Sequence, residues 1–182
     1  MRLFRNSVRG VLVLAAMAVA LAPKAAFADH HHTVPITGTF TEAFVIPSAL
    51  DYCAGNGGTP IEFRGIGHIS KLGPLFLTVK KCKTLVDGVP TFAGTFTMTA
   101  GDGDALNGTY AGVRVGLPDE NGFAQFQGTL TVTGGTGRFR HASGVLSFTA
   151  VTSAFSVGVT APTVDGVAFY LVQGTMSSPE KD

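Results

Sequence analysis

The sequence predicts an all-β protein, a single barrel of eight antiparallel strands with little helix beyond its first residues. Three observations lead there. Threonine or serine alternates with large apolar residues at period two in run after run, the pattern of strands with one polar and one apolar face. Clusters of Gly, Asp, Asn and Pro separate those runs at fairly even spacing. Helix-favouring mixtures of Leu, Glu, Lys and Ala are scarce.

The chain opens on a segment that reads as a signal peptide over residues 1–28. Arg2, Arg5 and Arg9 form a positive start, Val11 to Ala22 an apolar run, and Ala26-Phe27-Ala28 a small-x-small cleavage site. The alternative is an uncleaved membrane anchor, for which the run is short against the ~20 residues a spanning helix needs. Cleavage would remove Arg2, Arg5, Arg9 and Lys24 and no acid, so 13 basic residues become 9 against 12 acidic, a net charge of −3. That balance argues against a nucleic-acid partner, which needs a clustered positive face. Lys80, Lys81 and Lys83 are the one local basic run and read as a solvated strand edge. After cleavage no segment suits stable membrane insertion, and the expected location is secreted or periplasmic.

Residues 29–34 read as a tail and 179–182 as another, with the barrel domain over 35–178. In that first tail stands His30-His31-His32. If the mature chain begins at Asp29, His31 is its third residue. A free amine, two backbone amides and that imidazole could then form a square-planar Cu(II) or Ni(II) site. The alternative is a plain polar tail.

The expected strands are 35–46, 61–71, 74–84, 91–100, 104–115, 122–133, 144–157 and 165–176. In the first, Thr39 and Thr41 alternate with Phe40, Glu42 and Phe44. In the fourth, Thr95, Thr97 and Thr99 alternate with Phe96 and Met98. The sixth and seventh repeat the pattern around Leu130, Val132, Leu146 and Phe148. Closure into a barrel removes the open edges such strands would otherwise leave. Cys53 and Cys82 in an exported chain point to one disulfide; the alternative is two buried thiols.

The stretch TVTGGTGRFRHASG (131–144) looks at first like a phosphate loop. A dinucleotide loop must open a helix, and a P-loop needs Gly-Lys-Ser/Thr; neither condition is met. The geometric account has the strand end at Gly134-Gly135 and Gly137 adopt positive φ. Phe139 then plugs the barrel end, and Arg138 and Arg140 point away from it. Gly-Thr-aromatic and Gly-Thr-aliphatic triplets recur at Gly38, Gly94, Gly108, Gly128 and Gly174. Glycine inside a strand costs stability, so sharp bends or close backbone approach are expected there.

GGTGRFRHASG (134–144) resembles the GGTG-x-F-x-x-A-x-G signature of dirigent proteins and allene oxide cyclases. GDGDALNGTYAG (101–112) resembles the G-D-x-L-x-G-x-Y stretch of secreted bacterial proteins with the same barrel. The resemblance is best over residues 90–150. It implies an eight-stranded antiparallel barrel of the calycin type, often trimeric, with a lumen for an apolar ligand. Dirigent proteins steer a radical coupling without performing the oxidation, so enzyme status does not transfer with it.

Other motifs carry little chemistry. Asp102-Gly103-Asp104 starts like a calcium loop, but Leu106 and Val113 occupy ligand positions, and a hairpin turn is the expectation. No Gly-x-Ser-x-Gly elbow is present, His68 and His141 lack ligand spacing, and no motif asks for a cofactor. One residue stands out. Glu42 shares strand parity with Phe40, Phe44 and Ile46, so in a regular strand it faces the lumen among apolar side chains. A carboxylate there is costly unless paired or protonated, which makes it the candidate catalytic residue and, with Phe40 and Phe44, a candidate ligand contact. A bulge near Gly38, or a strand end, would instead turn it to water. The expected function is a secreted barrel binding a small apolar ligand in its lumen. The alternatives are an isomerase or cyclase like allene oxide cyclase, and an extracellular interaction protein with a solid barrel.

Overall fold

The computed structural model describes residues 32–45, 47, 49, 51–153, 157–158, 161–162 and 166–177. The first 31 residues, with the expected cleavage site and His31, and the tail from 178 lie outside them. The strands are β1 (Thr33–Val45), β2 (Thr59–Ile69), β3 (Gly73–Val86), β4 (Val89–Ala100), β5 (Ala105–Val115), β6 (Phe123–Gly135), β7 (Gly144–Ser153), the short β8 (Val157–Gly158) and β9 (Ala161–Pro162), and β10 (Val167–Ser177). β8 and β9 pair with each other. The other eight close into an antiparallel barrel in the order β1-β10-β7-β6-β5-β4-β3-β2, with β1 bonded to both β10 and β2.

Each strand lies where the alternation places it, with ends displaced by a few residues. β1 starts at Thr33, because the bonding of Thr33 and Val34 to Ser177 and Met176 outweighs the polar character of the histidine-rich approach. Thr33 and Val34, expected in the tail, thus belong to β1. β7 stops at Ser153 rather than 157.

Strand parity sorts the wall. Phe40, Leu77, Phe96, Leu130, Phe148 and Val172 are buried inside, while the alternate threonines and serines face water. The glycines of the recurring triplets face inward, where a side chain would meet the neighbouring strand's backbone or side chains. A Cβ on Gly108 would lie 2.5 Å from the Phe96 ring, one on Gly128 2.6 Å from that of Phe148, and one on Gly174 2.8 Å from the Leu146 Cα. Close approach, rather than a corner bend, accounts for them. A register shift in the β5–β6 ladder at Asn107/Gly108 supplies a bulge.

One end of the barrel is closed by a single 3₁₀ turn, η2 (Gly137–Phe139). Phe139 is fully buried in it, on the floor of the core. Gly137 has φ +49°, and the Asp104 carboxylate occupies the space a side chain would need, accepting a hydrogen bond from the Arg138 backbone N–H. Arg138 does not point away from Phe139. Its guanidinium lies 4.8 Å from the ring centroid and 3.4 Å from Asp102, because the tight turn folds it back over the ring toward a carboxylate. Asp102 and Asp104 thus act in turn geometry, with Asp102 also accepting from the Asp104 N–H.

Outside the wall, a second 3₁₀ turn, η1 (Asp51–Asn56), lies against β2 and β3. The Cys53–Cys82 disulfide pins it there, closing a sequence separation of 29. Its cover buries Glu62, an outward residue of β2, which accepts two hydrogen bonds from Arg64.

Candidate functional site

The upper half of the barrel, away from η2, holds a polar cluster. Glu42 lies on β1, three residues before its end, and is 1% exposed. Phe40 is buried beside it and Phe44 is partly buried against the core. The strand runs without a bulge from Thr33 to Ala43 against β10, which holds its parity. Small residues make room for the carboxylate. Its partner on β10 is Ala168 and its partner on β2 is Gly65, where a Cβ would lie 2.9 Å from the Glu42 Cγ.

Lys81 was expected on a solvated strand edge and is instead inside, 5% exposed. The reason is parity: Leu75, Leu77, Val79 and Lys81 share one face of β3, and a closed barrel leaves β3 no edge. Its pairing partner on β4 is Gly94. Its ammonium sits in an aromatic box, 4.6 Å from the Phe63 and Tyr110 ring centroids and 5.3 Å from that of Phe92. It donates to the hydroxyls of Tyr110 at 3.5 Å and Tyr170 at 3.4 Å. Phe148 stacks between those two tyrosines, 5.0 Å from one ring and 5.3 Å from the other. The tyrosines and Lys81 were missed in the sequence. The available signal was the parity of Lys81 with three aliphatic residues, and of Tyr170 with Ala168 and Val172.

The electrostatics are unusual. Burial pushes the Glu42 carboxyl up to about 7, opposed by the attraction of Lys81 and by the neighbouring Tyr170 hydroxyl. Neither carboxylate oxygen has a hydrogen-bond partner of ordinary geometry; Tyr170 acts on it as a close dipole. Burial pulls the Lys81 amine down to about 8, and Glu42 opposes that shift. Burial raises both tyrosine hydroxyls, so they stay protonated at neutral pH. Above them Phe92 and Phe126 meet edge to face at 5.3 Å, near Arg114, whose Nε is buried without a partner. The cluster encloses its own cation, Lys81, presents two hydroxyls as hydrogen-bond donors, and can exchange a proton at Glu42 near neutrality.

The remaining sequence candidates are dispersed. His68 and His141 are exposed on different elements. An open groove of about 670 Å³ is lined by Gln125, Gln127, Thr149, Phe169 and Leu171, with Phe40 and Tyr170 also along it.

No protein-family model matches the chain, and no curated protein does. Among solved structures it is similar to a pterocarpan synthase dirigent protein, at 14% identity and a TM-score of 0.33 over 82% of this chain and 88% of that one. At that score nothing is transferred from it; the closed eight-stranded barrel stands on its own strand pairing.

Proposed function

We propose that the protein is an exported barrel that binds a small apolar molecule by its polar end, in the upper half of the lumen. One observation carries the reading: a fully buried carboxyl, Glu42, whose oxygens have no hydrogen-bond partner of ordinary geometry and only the Tyr170 hydroxyl close by, stands near a caged ammonium. Leaving buried polar atoms unpaired costs about 1–3 kcal/mol each or more, so a group that pairs with them on binding recovers that free energy. The lower half is packed with Ile69, Met98, Leu106, Leu146 and Phe139, so the ligand enters from the other end. The disulfide supports an oxidising compartment.

A second reading is catalytic, an isomerase or cyclase. It is favoured by a carboxyl that titrates near 7 next to two tyrosine hydroxyls, a set able to move protons at neutral pH. Both readings place Glu42 against the ligand. Native mass spectrometry of protein purified from its own host should show a retained small molecule. Glu42→Gln should release it with an unchanged far-UV spectrum. A host-purified protein that carries nothing, with a Gln variant matching it in every binding assay, would leave the solid-barrel interaction protein.

A further inference from the structure

We infer that Lys81 is a carbonyl-capturing amine, and that the molecules this lumen takes include apolar aldehydes or ketones, held as an imine. The inference rests on the binding reading above and names its ligand class. Geometry carries it. Lys81 Nζ is enclosed by three rings and reaches two hydroxyls, at 3.4 and 3.5 Å, with Glu42 near enough to act on it electrostatically. A lysine kept for an ion pair would donate to its carboxylate; this one donates to tyrosines, and no Lys81–Glu42 salt bridge forms. The groups facing it are Glu42 from β1, Phe63 from β2, Phe92 from β4, Tyr110 from β5 and Tyr170 from β10.

The chemistry balances within that set. The neutral Lys81 amine attacks the carbonyl carbon and a C–N bond forms. A tyrosine hydroxyl hydrogen-bonds the carbonyl oxygen, and Glu42 carries one proton from the attacking nitrogen to that oxygen. Glu42 then carries the nitrogen's second proton to the resulting hydroxyl, which leaves as water as the C–O bond breaks and the C=N bond forms, so that both tyrosines and Glu42 end as they began. One carbonyl compound and one amine become one imine and one water, with no oxidant or reductant. The lowered affinity of Lys81 for its proton supports the step. At pH 7.5 roughly a quarter of an amine titrating at about 8 is free, against about one part in a thousand at its ordinary value, a gain on the order of a hundredfold.

Reductive trapping tests this. The full-length, disulfide-intact protein is incubated with cinnamaldehyde and sodium cyanoborohydride at pH 7.5, then digested and mapped. Lys71, Lys80 and Lys83 serve as internal controls. The expected result is an adduct at Lys81 formed at least about tenfold faster than at any of the three. Adducts on the controls with none on Lys81 overturn the inference. Calorimetry with cinnamyl alcohol, which cannot form an imine, separates the two claims. Binding of the alcohol without an adduct at Lys81 removes carbonyl capture and leaves the binding reading standing. Absence of both alcohol binding and adduct removes both. Trapping needs no variant, so a misfolded Lys81→Met protein does not blunt it.

Discussion

Glu42 and Lys81 are opposite charges that burial drives toward neutrality from both sides, and this makes the stability of the protein depend on pH in an unusual sense. Glu42 holds its proton in the folded state up to about 7, whereas the unfolded carboxyl loses it near 4.5. Between those values the folded state binds more protons, so stability falls as pH rises. Lys81 is reversed: between about 8 and 10.5 the unfolded state binds more protons, so stability rises with pH. Denaturant melts across pH 4–10 should therefore show a shallow minimum between pH 7 and 8. Glu42→Gln should flatten the acid limb and Lys81→Met the alkaline limb. A wild-type curve with its maximum near 7.5 would contradict the pair's placement.

Elements are held by close approach and by one covalent tie. Gly67 on β2 faces the Phe40 ring on β1, and an added Cβ would lie 2.6 Å from the ring's Cγ. Gly67→Ala should cost about 1–3 kcal/mol by overpacking, read as a lower denaturation midpoint at unchanged slope. η1 has little apolar content and depends on its disulfide. Replacing Cys53 and Cys82 together by Ala should cost roughly 3–4 kcal/mol for a loop of this size in the chain-entropy model. It should also raise amide exchange in Asp51–Asn56 well before that in the barrel strands.

The barrel is a closed sheet with an apolar floor and a polar cluster in its upper half. Phe139 is the floor, and its removal leaves a void that the rigid wall cannot collapse to fill. Phe139→Ala should cost about 3–5 kcal/mol, seen in the global unfolding transition. Because floor and polar cluster lie toward opposite ends of the barrel, that variant should retain the upper cluster's response to cinnamyl alcohol, which Glu42→Gln should not.

Local pattern in the chain determined the strands, the turn at Gly137 and which side of β1 carries Glu42. Period-two alternation and turn chemistry are properties of a few adjacent residues, and the structure keeps both. The disulfide follows from two cysteines and a compartment. What the chain could not display is height in the barrel and who meets whom there. Tyr110 and Tyr170 stand 29 and 89 positions from Lys81, and meet it because closure of β1 onto β10 fixes the register all the way round. Read locally, Lys80, Lys81 and Lys83 are one basic run. Parity separates Lys80 from Lys81, and height along β3 separates Lys81 from Lys83: Lys81 lies in an aromatic box whose walls come from other strands, while Lys83, on the same face, is partly exposed nearer the strand end. The face of a side chain is local information; its partners and its proton affinity are set by the tertiary structure, since both depend on what encloses it.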